Sequence, residues 1–140
     1  MLRAEIGTEA FWVGIREYYR RYRDSNALTE DLQAVMEEVS GQDLGTFFSQ
    51  WTYGSGQPHL TGDWSYDEAT SQVTVRLTQT QYQPFNFPLD IGITLVSGEK
   101  LVQRVQVSEA SHDFSFDVAD APRTVELDPN TWLLFTSEFE

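Results

Sequence analysis

Cysteine is absent from the 140 residues. Disulfide scaffolds, Cys-ligated zinc and thiol catalysis are therefore excluded. The redox compartment stays open, because an exported protein need not carry cysteine. Bases are scarce: nine Lys and Arg against 22 Asp and Glu leave a net charge of −13. Residues 1–30 hold five Arg and five acids, so residues 31–140, with 17 acids and four bases, carry the whole deficit. An acidic surface repels phosphate backbones and anionic lipid. Nucleic acid and membrane surfaces are thus poor partners, and a cationic partner is compatible. No apolar run approaches the ~18–20 residues of a membrane helix. The start, Met1-Leu-Arg-Ala-Glu-Ile-Gly7, lacks the apolar centre of a signal peptide. The expectation is a soluble protein with an acidic surface, exported or periplasmic rather than cytoplasmic.

What is present divides into two periods. A chain of this length supports one full core, or one domain with part of another. In residues 8–23, Phe11, Ile15, Tyr18, Tyr19 and Tyr22 recur at helical spacing, widened by Trp12, with Arg16, Arg20 and Arg23 opposite. Thr8 is the expected N-cap, with Glu9 in the first turn. The Arg- and Tyr-rich run suits a core-facing helix with a cationic, solvated back better than a base-stacking surface, given the acidic remainder. A second helix is expected after Thr29 as cap, with Leu32, Val35, Met36 and Val39 inward and Gly41 as the left-handed residue past its end. Asp43 is placed as the cap of a third, whose Leu44, Phe47, Phe48 and Trp51 fall at i, i+3, i+4 and i+7. Gly54, Gly56 and Pro58 then break the helix.

From His59 the period becomes two. Seven strands are predicted: 61–66, 72–80, 89–96, 100–108, 112–118, 123–128 and 132–136. Val73, Val75 and Leu77 point inward in the second, and Leu89, Ile91, Ile93 and Leu95 in the third. A turn at 67–71 joins the first pair, and Ser97-Gly98 is a tight hairpin turn. Short alternating strands at this spacing predict an antiparallel sandwich of immunoglobulin-like type. The fold class is α+β, with a helical segment over residues 1–57 and the sandwich over 58–140.

No residues assemble into a catalytic constellation. His59 and His112 lie over fifty positions apart, and no H-E-x-x-H occurs, whereas a catalytic zinc takes three protein ligands. Gly54-Ser55-Gly56 is not the G-x-S-x-G of a nucleophile elbow and reads as a linker. Asp63, Asp67 and Glu68 lack the spacing of a calcium loop and read as turn chemistry. Asp113 and Asp117 share a strand face with Ser115 and read as a solvated outer surface. Trp64 and Tyr66 read as core residues of one face. The alternative, that these two and Tyr82 form a carbohydrate- or protein-binding surface, defines a second functional reading: an independent β-sandwich binding module of an exported protein.

Residues 2–60 resemble the end of the catalytic domain of zinc aminopeptidases of the aminopeptidase N family. The likeness runs through Met1-Leu-Arg with Gly7 and Phe11, through Tyr18-Tyr-Arg-Arg-Tyr22 and Leu28-Thr-Glu-Asp-Leu32. It closes with Ser40-Gly-Gln-Asp-Leu44, Phe47-Phe48, Gln50-Trp51 and Gly56-Gln-Pro58. The resemblance implies that an immunoglobulin-like sandwich follows, and that Val125-Glu-Leu-Asp-Pro129 with Trp132 closes a shorter family member. It implies that Leu44, Phe47, Phe48, Trp51, Gly54, Gly56 and Pro58 form the seam between catalytic domain and sandwich. It also implies that the zinc motif, third ligand and catalytic tyrosine lie upstream, so the present residues contribute no catalytic, cofactor or metal site. The partners implied are the rest of the catalytic domain and, through it, a peptide substrate. Helices cut from their lobe leave apolar stripes unburied, so residues 1–53 are expected to fold back on the sandwich or pair with another copy.

Overall fold

The computed structural model describes residues 1–140, with helices up to Tyr53 and strands from His59 onward. The chain is α+β, a helical segment followed by an immunoglobulin-like sandwich. It forms two units, Met1–Ser55 and Gly56–Glu140.

In the first unit, α1 (Leu2–Ile6) precedes α2 (Thr8–Tyr22), α3 (Thr29–Ser40) and α4 (Gly45–Phe48), which runs on into a π-helical stretch, Ser49–Tyr53. Ile6, Met36, Leu44 and Phe48 make the buried cluster, with Leu2, Phe11, Ile15, Leu32 and Phe47 packed against it. Burying each such side chain contributes about 1.5–3 kcal/mol.

Three expected caps are corrected. Thr8 is already helical, and its hydroxyl accepts from Arg3 Nε at 3.1 Å, so it is not the N-cap of α2. Thr29 is likewise the first residue of α3, and the Asp31 carboxylate closes the turn by accepting from Leu28 N at 2.8 Å. Gly41 does adopt the left-handed conformation, at φ 68°. Asp43 likewise is not the cap of α4: the N-cap is Leu44, and Asp43 Oδ1 accepts from Gly45 N at 2.8 Å in the turn just before it. The inner face of α2 is narrower than its sequence suggests, because Trp12 and Tyr19 are exposed.

In the second unit, β1 (His59–Asp67), β2 (Gln72–Gln79), β3 (Phe87–Leu95), β4 (Lys100–Val107), β5 (Ser111–Asp117), β6 (Pro122–Leu127) and β7 (Thr136–Phe139) form two sheets. Their orders are β5-β2-β1-β7 and β4-β3-β6. Val73, Val75, Leu77, Leu89, Ile91, Ile93 and Leu95, the residues that the alternation turns inward, are all fully buried. The register sets Val75 between Trp64 and Phe114, and Val73 between Tyr66 and Phe116. Aromatic rings beside β-branched residues on neighbouring strands are stabilising cross-strand pairs. They account for the half-burial of Trp64 and Tyr66.

The last strand departs from expectation. Residues 132–135 are not a strand. The Asp128 carboxylate accepts from Trp132 N at 3.0 Å and Leu133 N at 2.8 Å, and Asp128 and Thr131 both hold positive φ. This winds the chain into a turn where an extended run is predicted. The strand forms only at Thr136, and it pairs with β1 in parallel, so the sandwich is not wholly antiparallel.

Candidate functional site

The two histidines are built into the sandwich. His112 stacks on Phe114, with ring centroids 5.2 Å apart, and its Nε2 accepts from Ser108 N and Glu109 N, both at 3.0 Å. It thereby closes the turn between β4 and β5. His59 Nδ1 is bonded to the Thr136 hydroxyl across the β1–β7 pair. Neither ring bonds a serine hydroxyl or a second imidazole. No three His, Cys, Asp or Glu side chains are grouped to hold a metal ion. The zinc of the resembling enzymes therefore finds no fitting donor set among these residues.

Of the carboxylates singled out in the sequence, Asp63, Asp67 and Asp117 are engaged locally. Asp63 accepts from Arg76 Nη1 at 2.8 Å. Asp67 Oδ1 accepts from Ala69 N at 2.8 Å, and that amide, with Thr70, holds its carboxyl below the ordinary aspartate value. Asp113, Ser115 and Asp117 stand exposed on β5 opposite Arg76, Thr74 and Gln72, with Gln72 Nε2 donating to Asp117 at 2.9 Å. A shallow concavity of about 850 Å3 lies on this sheet, lined by Thr61, Asp63, Arg76, Thr78 and Asp113 together with the last strand. Its lining offers hydroxyls, carboxylates and the Arg76 guanidinium. Of the aromatics, Trp64 and Tyr66 belong to the half-buried rows described above, while Tyr82 is 98% exposed in the loop after β2.

Three polar nodes give the sandwich its order, and the sequence reading missed all of them. Gln79 is 5% exposed; its Nε2 donates to Phe85 O and Glu109 O, both at 2.9 Å, and its Oε1 accepts from Phe85 N at 2.9 Å and Gln81 Nε2 at 2.6 Å. Asp90 is 7% exposed and receives a two-pronged bond from Arg104, Nε to Oδ1 at 2.7 Å and Nη2 to Oδ2 at 3.0 Å. Asp128 is the third. No buried side-chain polar atom is left unpartnered. The visible signal for Gln79 was its parity with Val73, Val75 and Leu77, which turns an amide inward.

In the helical unit, Leu44 and Phe48 are buried, Phe47 packs edge-on against Phe48 at 5.6 Å, and Trp51 tilts toward Phe47 at 6.4 Å. Gly54 is extended, and a Cβ on it would meet Gln50 O at 2.5 Å. Gly56 has φ 86°, a conformation that favours glycine. Pro58 is buried, and its carbonyl accepts from Thr136 N at 3.0 Å. Charge is concentrated on α2 and α3. Glu17 accepts from Arg20 at 2.6 and 2.8 Å and from Arg21 at 2.6 Å, and these bonds, Arg20's foremost, bring its carboxyl down to about 2. Tyr53 OH donates to Glu30 at 2.7 Å, lowering the Glu30 carboxyl and raising the tyrosine.

Fold and chemistry together describe a helical segment and an immunoglobulin-like sandwich ordered by structural polar nodes. No family model matches the chain. It is 30% identical to Aminopeptidase N of Escherichia coli (strain K12) over 134 residues, 84% of this chain and 15% of that protein. It is 43% identical to Aminopeptidase M1-D of Oryza sativa subsp. japonica over 58 residues, 41% of this chain and 7% of that one. A solved structure of Legionella pneumophila aminopeptidase A in complex with aspartic acid matches the whole chain over 17% of its own, with TM-score 0.82 and 21% identity. The homologues are thus members of the aminopeptidase N family, and the chain corresponds to a partial region of them. It spans 15% or less of the length of the two relatives named.

Proposed function

We propose that this chain is the non-catalytic C-terminal region of a zinc-dependent aminopeptidase. In the whole enzyme, metal-assisted hydrolysis would remove N-terminal residues from peptides. The helical unit would complete the lobe that carries the reaction, and the sandwich would brace it. The residues from Leu44 to Pro58 would form the seam between them. The observation that carries the reading is the match of the entire chain, both units, to part of an aminopeptidase fold, together with sequence identity to Aminopeptidase N over 84% of its length. The zinc and its chemistry would come from outside these residues.

The test is metal analysis with turnover of an aminoacyl-arylamide. The 140-residue chain is expected to bind no stoichiometric zinc and to be inactive. A longer polypeptide that carries this segment is expected to bind one zinc and turn over. Stoichiometric zinc and turnover in the 140-residue chain would refute the reading. So would a reading frame with no H-E-x-x-H upstream of it.

A further inference from the structure

His112 faces the inside of the sandwich, at the corner where one sheet hands the chain to the other. Its register opposite Leu77 sets it on the same face of β5 as Phe114 and Phe116, which lie opposite Val75 and Val73. The turn behind it, Ser108–Ala110, carries the chain from β4 in the three-stranded sheet to β5 in the four-stranded one. Gln79 holds the carbonyls of that turn: its Nε2 donates to Glu109 O at 2.9 Å and its backbone N to Ala110 O at 2.8 Å. His112 holds the amides, with Nε2 accepting from Ser108 N and Glu109 N, both at 3.0 Å. Two amide hydrogens aimed at one ring atom require a bare nitrogen there, with the ring proton on Nδ1. A protonated imidazole carries hydrogen on both nitrogens and accepts at neither.

We propose that His112 is a proton-sensitive latch on the joint between the two sheets. With Nε2 bare, the latch is shut. A proton taken from solvent onto Nε2 ends both bonds and turns an N–H toward two N–H groups, which drives the turn off the ring. The Glu109 peptide also carries a bond of Gln79, so opening the turn frees Gln79 Nε2 from Glu109 O as well. Inside the sandwich no opposite charge takes the place of the lost bonds. Leu77 lies across on β2. The alternate residues that β3 and β4 turn inward, Phe87 to Leu95 and Leu101 to Val107, include none that titrates. In the loop after β2 the titratable group is Tyr82, which is 98% exposed. Glu109 itself is exposed, and Asp113 stands on the outer face of β5. The two bonds are available in full above about pH 6.5, where an ordinary histidine is neutral, and are lost as pH falls below it. The corner between β4 and β5 is therefore closed at neutral pH and loosened in an acidic compartment.

Ring-nitrogen NMR and amide exchange on the 140-residue chain test this. At about pH 8 the His112 Nε2 resonance is expected at the position of a bare ring nitrogen, with the proton on Nδ1. Protection of the Ser108 and Glu109 amides, corrected for intrinsic exchange, is expected to fall roughly tenfold between about pH 7.5 and about pH 5. His112→Gln places an oxygen that does not titrate near the Nε2 position, so protection is expected to stay level over the same range. His59→Gln, which removes the other imidazole of the chain, is expected to keep the wild-type fall. An Nε2–H tautomer in the wild type, or protection that stays level there, would overturn the proposal. So would a fall that survives His112→Gln or disappears in His59→Gln. If His112→Gln does not fold, the wild-type tautomer and the wild-type pH response still decide.

Discussion

Replacing Gln79 probes the sandwich where its sequence pattern is broken. The side chain has two amide hydrogens and two acceptor positions, and all four are engaged. Gln79→Met keeps the length and removes every bond. Glu109 O lies on an exposed turn and can take water instead. Phe85 N and Phe85 O are buried, and each loses its side-chain partner. Losing a buried hydrogen bond to a backbone group that stays buried costs roughly 1–3 kcal/mol, so losing the pair costs about 4. Burying the thioether returns about 1, which leaves a net loss of about 3 kcal/mol. For a domain of this size that lowers Tm by roughly 12–24 °C. Gln79→Glu adds a pH signature. An ionised carboxylate would face the Phe85 and Glu109 carbonyl oxygens, so its folded pKa is raised above the unfolded value of about 4.3. With the folded pKa raised, the variant's stability falls as pH rises from about 4.3 to that folded pKa, and its loss is complete above it. Thermal and urea unfolding of wild type and both variants between pH 4 and 8 measures both effects. A Met variant within about 1 kcal/mol of wild type would refute the network's role, as would a Glu variant with no added pH slope.

Asp128→Ala removes the acceptor for Trp132 N and Leu133 N and places alanine at φ 49°; the expected cost is about 3 kcal/mol by urea denaturation. Asp128→Asn retains one acceptor and a residue that tolerates positive φ, so about half that loss is expected, and equal losses would show that the cap is not what holds the turn. Glu17, with its carboxyl at about 2 against an ordinary 4.5, contributes helix stability that is complete above pH 4.5 and is lost as pH falls toward 2. A carboxyl NMR titration should place its midpoint near 2, and Arg20→Gln should raise it; a wild-type midpoint near the ordinary glutamate value would discard the ion-pair account.

Most of the strand layout is legible from the sequence because alternation is a local property and each inner residue reports its own face. The seven inward aliphatics of β2 and β3 needed no knowledge of their partners. Caps were legible only in part. Gly41 acts through its own backbone, whereas Thr8 is diverted by Arg3 from five residues away, Asp31 takes over at Leu28, and Asp43 bonds Gly45 N from outside the N-cap Leu44. The last strand was misplaced because its position is set from outside. Asp128 curls residues 128–133, and the four residues of β7 have no pattern until β1 supplies hydrogen bonds. Asp90 is buried on the outer side of β3 although alternation turns it toward solvent; nothing near it in sequence announces Arg104, fourteen residues on and directly across the strand pair. The seam residues stand apart. Leu44 and Phe48 were readable as buried from their spacing, but the role given to them came from resemblance and rests on the proposal.

The contrast between the two units bears on what the chain is for. The sandwich answers its own polar demands: Gln79, Asp90 and Asp128 are each fully bonded inside it, and its exposed apolar side chains, Tyr82, Val96, Val102 and Leu134, lie on separate segments. The helical unit has a core of its own, yet it displays two aromatic rings and an unengaged arginine along one strip of α2. A unit whose surface matches the composition of an interface is incomplete in a way that the sandwich is not. This contrast agrees with the function proposed above, in which the sandwich would be the supporting module and the helical unit would meet the rest of a larger polypeptide. An independent binding module would invert this, with its open surface on the sandwich. There the concavity on the β5-β2-β1-β7 sheet is lined by hydroxyls, carboxylates and Arg76, and the aromatics Trp64 and Tyr66 are drawn into cross-strand rows.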